Sequence, residues 1–162
     1  MRRTEREVTE SVTLQQIVQD GRTLNLAIND TPAPYVVPVN YGYEYDADYK
    51  LHLYIHGAPA GKKRDLIAAN PNVSFSIVAN AKLFVPEDPQ QLSHFSTLYQ
   101  SVLGTGTATL VDDLKEKEHA LRLLLKHETG EDLPGEIKQH DLEYVGVIRV
   151  DVEQLTGKQH RE

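Results

Sequence analysis

Six strand-like runs, each closed by glycine, proline or an Asx turn, constrain this chain more than any other feature. Thr23–Asn29 alternates apolar and polar residues, and Asn29-Asp30-Thr31-Pro32 turns the chain. Pro34–Tyr41 is rich in β-branched and aromatic residues and reads as a second strand. Its internal Pro38 cannot donate to a ladder, so an edge or an interruption is expected there. Tyr45-Asp46-Ala47-Asp48 makes the next turn and Leu51–His56 a third strand, which predicts a hairpin of strands two and three. Val73–Val78 is a fourth strand. Leu98–Leu110 is a long fifth, whose glycines predict a bulge or a barrel corner, and Glu143–Val152 is a sixth. Residues 81 to about 97 read as irregular.

Short helices fit between these strands. Thr13–Asp20 carries Leu14, Ile17 and Val18 on one face, and Gly21 can stop it. Lys62–Ala69 should end at Asn70-Pro71, because a residue before proline avoids the α region. Asp112 to about His127 is a strong helix with a capping box of Asp113 and Glu116, and Gly130 closes it. Leu114, Leu121 and Leu125 are expected to form its apolar face. The pattern predicts a mainly β protein: a small barrel with several short peripheral helices.

With 162 residues and no internal repeat, the expectation is one domain spanning 1–162. The absence of cysteine excludes disulfides, iron–sulfur clusters, cysteine zinc sites and a cysteine nucleophile. The start, Met1 to Ser11, has no apolar stretch, so no signal peptide is expected, and no run approaches the roughly 20 apolar residues of a membrane span. A cytoplasmic protein without a membrane partner is expected. The net charge of −7 argues against nucleic acid as a partner. One tight basic cluster stands out, Lys62-Lys63-Arg64. It is either a solvated helix face or the seat of one small anion.

The sequence around that cluster favours the anion. Tyr54-Ile55-His56 ends a strand, Gly57-Ala58-Pro59-Ala60-Gly61 forms a loop, and Lys62-Lys63-Arg64-Asp65 opens a helix. A helix start presents unpaired N–H groups and partial positive charge, and Gly61 permits close backbone approach. Two lysines add cations. The spacing is neither that of a P-loop nor a dinucleotide fingerprint. His56 closes the strand beside this loop, where it either packs or meets a ligand. His52, two residues earlier, should share its strand face. His119 and His127 read as solvated helix residues. No histidine pair falls on a convincing helix, so no metal is expected.

These segments resemble a known family. Pro34–Tyr41, Leu53–Ala58, Gly61–Ile67 and Asn70–Phe75 are similar to the 5-nitroimidazole-resistance branch of the pyridoxamine-5′-phosphate-oxidase-like split barrels. Tyr99–Gly106, Thr156-Gly157-Lys158, the opening Met1-Arg2-Arg3 and Arg6 follow the same pattern in the same order. The resemblance implies a six-stranded split β-barrel of Greek-key type that works as a homodimer and binds FMN between subunits. It implies that Pro38, Val39, Asn40 and Tyr41 lie along the flavin ring. It also implies that His56, Gly61, Lys62 and Lys63 hold the phosphate end, and that Tyr99 and Ser101 add polar contacts. A histidine at the position of His56 lies near the flavin in that family, which makes it the candidate catalytic residue. A proton-donating histidine suits reduction of a nitro group, which consumes protons.

The expected activity is therefore that of an FMN-dependent oxidoreductase. It would pass electrons to a small planar acceptor such as a 5-nitroimidazole. The alternative is a binding module that holds flavin or haem without turnover. The chain ends Lys158-Gln159-His160-Arg161-Glu162 without the substrate-recognition segment of the vitamin B6 enzymes, so B6 oxidation is not expected.

Overall fold

The computed structural model describes residues 3–161; the resemblance at Met1 and Arg2 lies outside them. A 3-10 turn at Thr4–Arg6 leads into β1 (Glu7–Val8) and α1 (Ser11–Asp20). Then come β2 (Leu24–Ile28), β3 (Tyr35–Val39), β4 (Gly42–Tyr45), β5 (Leu51–Gly57) and α2 (Lys62–Ala69). The long β6 (Asn72–Phe84) and β7 (Ser96–Val111) follow, and α3 (Leu114–Thr129), α4 (Gln139–Tyr144) and β8 (Gly146–His160) complete the chain. All pairings are antiparallel, in the order β3-β2-β6-β7-β8-β5-β4, with β1 added to β8.

The end strands of this sheet, β3 and β4, are consecutive in sequence. Only residues 40 and 41 separate Val39 from Gly42, so three peptide steps of ~3.8 Å bring the two edges within about 11 Å. The sheet must curl into a barrel with one unpaired seam, which is the split barrel expected. The strand count rises from six to eight for two reasons. β1 adds a short strand, and β4 (Gly42–Tyr45) forms beyond the expected second strand, after a break at residues 40 and 41.

That break corrects the predicted hairpin. β3 pairs with β2, and it is β4 that pairs with β5. The cause is Tyr41, whose ring is fully buried and whose hydroxyl donates to the carbonyls of Val18 (2.6 Å) and Gly21 (3.0 Å). Turning this side chain inward takes residues 40 and 41 out of the strand. Three other bounds also move. β6 continues to Phe84, the segment read as irregular holds a 3-10 turn at Leu92–His94, and Gln139–Tyr144 is helical, so β8 begins at Gly146 and runs on to His160. The expected bulge in the fifth strand is present as a register shift between Thr105 and Gly106.

One row across the barrel shows how the core is built. Val37, Leu26, Phe75, Gly104 and Leu155 lie side by side on β3, β2, β6, β7 and β8, facing inward. Gly104 makes room for a ring, since a Cβ there would sit 2.3 Å from Cζ of Phe75. The neighbouring rows face outward: Pro38, Asn25, Ser76, Leu103 and Thr156, then Val36, Ala27, Ser74, Thr105 and Gln154. None of these ten carries a charge.

Helix α3 covers β4 and β5 with a face other than the one expected. Its buried residues are Lys117, Ala120, Leu124 and His127, while Leu125 is exposed and Leu121 is half-buried. His127 is therefore not a solvated residue. Its Nδ1 faces the Tyr41 carbonyl at 2.6 Å, its Nε2 faces the Gln19 carbonyl at 3.0 Å, and the rings of Tyr41 and Tyr43 pack on it. His119 is exposed as expected and bonds Glu44 through Nε2 at 2.8 Å. Asp113 caps the helix by accepting from Glu116 N–H (2.9 Å), but the Glu116 carboxylate turns to Arg149 (2.5 Å), so half of the capping box forms. Among the described residues no helix is long and apolar enough to cross a membrane.

Candidate functional site

The seam between β3 and β4 positions the site. β3 pairs only with β2, so its outer edge presents unpaired backbone groups, except at Pro38, which has no N–H. Gly42 lies opposite Tyr54 on the β4–β5 ladder. Two residues farther out, Asn40 comes level with His56, and both line one cavity of about 420 Å³. Its other walls are Leu121, Leu124, Leu125 and Glu128 of α3, with Ile137. The leucines that do not all dock the helix thus furnish an apolar wall. Asn40 is oriented by its own amide, which donates to the Arg22 carbonyl (3.2 Å) and to Glu128 (3.0 Å). His56 is exposed at the end of β5, on the same strand face as His52, because the β5–β8 ladder runs without a bulge.

At the other end of β3 stands the loop before α2. Gly61 is the N-cap residue with φ 132° and ψ 170°, a conformation that L side chains rarely adopt, and open space lies where its side chain would be. The two lysines there differ. Lys62 reaches Asp30 in the β2–β3 turn at 2.7 Å, and its ammonium sits 5.2 Å from the Tyr35 ring centroid. Hydrogen bonding to Asp30 raises its pKa. Lys63 is half-buried, with its ammonium near Gly57. Burial, and then the adjacent Arg64 guanidinium, lower its pKa. No carboxylate among the described residues compensates this charge. Arg64 is half-buried as well and donates to the Val147 carbonyl (3.3 Å).

Lys63 is therefore a cation held against burial and against the adjacent Arg64 guanidinium, at the start of α2. A phosphate dianion would relieve both penalties. The donor set thus fits the phosphate end of a flavin, and the free edge of β3 fits a planar ring with alternating donors and acceptors. Arg64 was not singled out by sequence; its place in the basic triplet was the only signal.

Of the expected flavin residues, Asn40 and His56 share one cavity, Lys63 lies beside Gly57, and Lys62 stands over Tyr35 at the start of β3. Tyr41 joins them only through the chain: its side chain is in the core and its carbonyl is taken by His127. Tyr99 and Ser101 lie elsewhere. Tyr99 pairs with His160 at one end of the β7–β8 ladder, whereas α2 lies toward the other end, where Ala108 N–H bonds the carbonyl of Pro71. From Tyr99 to Val111 that ladder is on the order of 40 Å long at ~3.3 Å per residue. Within one chain, Tyr99 and Ser101 cannot meet Lys63. Among the described residues no group of three His, Asp or Glu could hold a metal.

Comparison with known proteins extends this picture. A family model described as pyridoxamine 5′-phosphate oxidase matches residues 10–159. The fold is similar to that of a proposed 5-nitroimidazole antibiotic resistance protein from Bacteroides thetaiotaomicron, with 28% identity and a TM-score of 0.78, over 94% of this chain and 86% of that one. It is also similar to the flavocytochrome Anf3 from Azotobacter vinelandii, with 16% identity and a TM-score of 0.80, over 100% and 72% of the two chains. A FAD and heme binding protein from Mycobacterium smegmatis has 16% identity and a TM-score of 0.78, over 97% and 74%. At such identities the last two speak for the fold alone. No protein with a curated description matches the chain.

Proposed function

The chain belongs to the pyridoxamine 5′-phosphate oxidase family, and from that premise we propose that it is an FMN-dependent reductase of small planar acceptors such as 5-nitroimidazoles. The observation that carries this reading is the half-buried Lys63, which no carboxylate among the described residues offsets, beside Arg64 at the start of α2 and at one end of a free strand edge. A single phosphate site, with no dinucleotide fingerprint, favours FMN over FAD. The bound flavin supplies the electron-carrying ring.

The chain's own residues do the rest. The edge of β3 orients the ring through backbone groups. Asn40, fixed by Arg22 and Glu128, holds the wall of the cavity in one conformation. Leu121, Leu124 and Leu125 exclude water from one side. His56, solvent-accessible and level with Asn40, can take a proton from water and deliver it to an acceptor lying in the cavity.

The protein works as a homodimer in this reading. The ten uncharged outward residues around Leu103 support it, because a quarter of the sequence is Asp, Glu, Lys or Arg and a purely solvent-facing sheet would carry some of them.

Two measurements test the proposal together. Mass spectrometry of the released cofactor should give FMN, and steady-state assays with a reduced donor should show turnover of a 5-nitroimidazole. Stoichiometric FAD or haem would overturn the cofactor assignment. Bound FMN with no turnover of any nitroaromatic would overturn the reductase.

A further inference from the structure

Strand β8 has a gap along the edge that faces β5. β5 pairs with it from Gly146 to Asp151, and β1 takes up Gly157 and Lys158. Neither strand pairs with the stretch from Val152 to Thr156, so backbone groups on that edge have no ladder partner. Beside this gap lies a cavity of about 620 Å³, larger than the one next to His56, and none of the residues expected to hold flavin borders it. Leu14 of α1, Leu51 of β5, and Val152 and Leu155 of β8 make its wall mostly apolar. The charged side chains of the lining are Lys50 and Glu153, one of each sign.

Two tyrosines border this cavity. The Tyr45 hydroxyl is buried yet has no hydrogen-bond partner, and among the described residues no other buried side-chain nitrogen or oxygen is left so. Burial, and then the neighbouring Tyr43, push its pKa up to about 12, so the hydroxyl keeps its proton and remains a donor. Tyr49, in the β4–β5 turn, has its ring 81% exposed and its backbone at φ 59°. That left-handed conformation is costly for a bulky residue, and the turn imposes it. Tyr49 N–H donates to the Asp46 carbonyl (3.0 Å), and the Asp46 carboxylate accepts from the N–H groups of Asp48 (2.8 Å) and Lys50 (2.9 Å). A large ring is thus held under strain in solvent, at the edge of a cavity that also borders a donor in need of an acceptor.

We infer that this cavity is a ligand site separate from the flavin residues, for an uncharged, mainly apolar small molecule that carries a flat ring and one hydrogen-bond acceptor. Its volume suits such a ligand. The acceptor partners the Tyr45 hydroxyl, the flat ring stacks on Tyr49, and the leucine and valine side chains take up the apolar body. The opposed charges of Lys50 and Glu153 leave no net charge to select an ion. The inference does not depend on the chain holding flavin.

The probe is 2-acetylnaphthalene, flat and neutral with one carbonyl; 2-ethylnaphthalene is its counterpart without an acceptor. Equilibrium dialysis should show saturable binding of the ketone. The ratio of ketone to hydrocarbon affinity should fall by roughly five- to tenfold in Tyr45→Phe. That variant should melt no lower than wild type, since the hydroxyl it loses makes no bond in the free protein. Tyr49→Gly should bind the ketone several-fold more weakly and also melt no lower, because glycine adopts φ 59° without strain. Gln15→Trp, which puts a ring into the cavity from α1, should abolish binding, and circular dichroism checks that it folds. No saturable binding to wild type, undiminished binding in folded Gln15→Trp, or an unchanged affinity ratio in Tyr45→Phe overturns the inference. Flavin content, read in the visible spectrum, decides the proposed function separately. Release of bound flavin by the ketone would place the probe at the flavin residues and overturn the inference as well.

Discussion

Lys62 and Lys63 are sequence neighbours with opposite surroundings. Lys62 is exposed and paired with Asp30, whereas Lys63 is half-buried and no carboxylate among the described residues offsets its charge. A ligand phosphate gains most from the cation that has no other partner. Removing a charge-assisted contact costs about 1.5–3 kcal/mol, so Lys63→Ala should weaken FMN binding by roughly tenfold or more. Lys62→Ala should cost less, because Lys62 must leave Asp30 to reach a ligand. Riboflavin affinity should stay level in both. Calorimetric titration of the two ligands decides the matter; equal losses for FMN and riboflavin would remove Lys63 from the phosphate. His56 makes a different claim at the same scale. His56→Ala should leave most FMN bound and lower nitroimidazole turnover per bound flavin by about 10²–10⁴-fold if the imidazole donates the proton in the limiting step. Unchanged turnover would reduce His56 to a wall of the cavity. Sequence exposed His56, Gly61 and the lysines because glycine and charge near a strand end have few other uses. It could not separate Lys62 from Lys63, since that depends on Asp30, a residue distant in sequence.

Elements are tied together here by a chain of charges. Asp46, in the β4–β5 turn, meets His52 Nε2 on β5 at 3.2 Å, and His52 Nδ1 meets Asp151 on β8 at 2.6 Å. Asp151 accepts from Arg149, which also holds Glu116 of α3. Burial opposes charge on His52, but hydrogen bonds to Asp46 and Asp151 outweigh it and raise its pKa above 6.5. A histidine whose folded pKa lies above its unfolded one stabilises the fold fully below the unfolded value, and that contribution fades as pH rises through the folded pKa. Stability should therefore decline as pH climbs above about 6.5, and His52→Gln should flatten that part of the profile. Urea midpoints across the neutral range check it; an unaltered slope in the variant would detach the network from stability. Elements with a strong local signal were legible: α2 matched its expected bounds from Lys62 to Ala69, and the bulge beside Gly106 was foreseen. What sequence misjudged depended on distant partners. Tyr41 broke the second strand by reaching Val18 and Gly21, and α3 docked through Ala120, Leu124 and His127 because a histidine with two carbonyl partners is as good a buried residue as a leucine. No periodicity in a single helix reveals those partners.

For the whole molecule, the decisive surface is the uncharged sheet face around Leu103. That side chain is 53% exposed and Val36 is 58% exposed, within rows of small uncharged residues from β3 to β8. A two-fold interface places the same patch on both copies, so any charge introduced near its centre is repeated across the axis and both charges are desolvated. Leu103→Glu should therefore shift sedimentation from dimer to monomer. Val12→Glu, on α1 and already 76% exposed, adds the same charge away from that face and should leave the dimer intact. The two variants also separate assembly from cofactor binding. Tyr99 and Ser101 lie at the far end of the β7–β8 ladder from Lys63, so in the proposed dimer they would reach a flavin held at α2 from the second copy. A monomeric Leu103→Glu protein should then retain FMN less tightly than wild type, in proportion to what the partner contributes. A Leu103→Glu dimer with wild-type FMN affinity would move the interface to another face. A monomer that binds FMN as well as wild type would place the whole site within one chain.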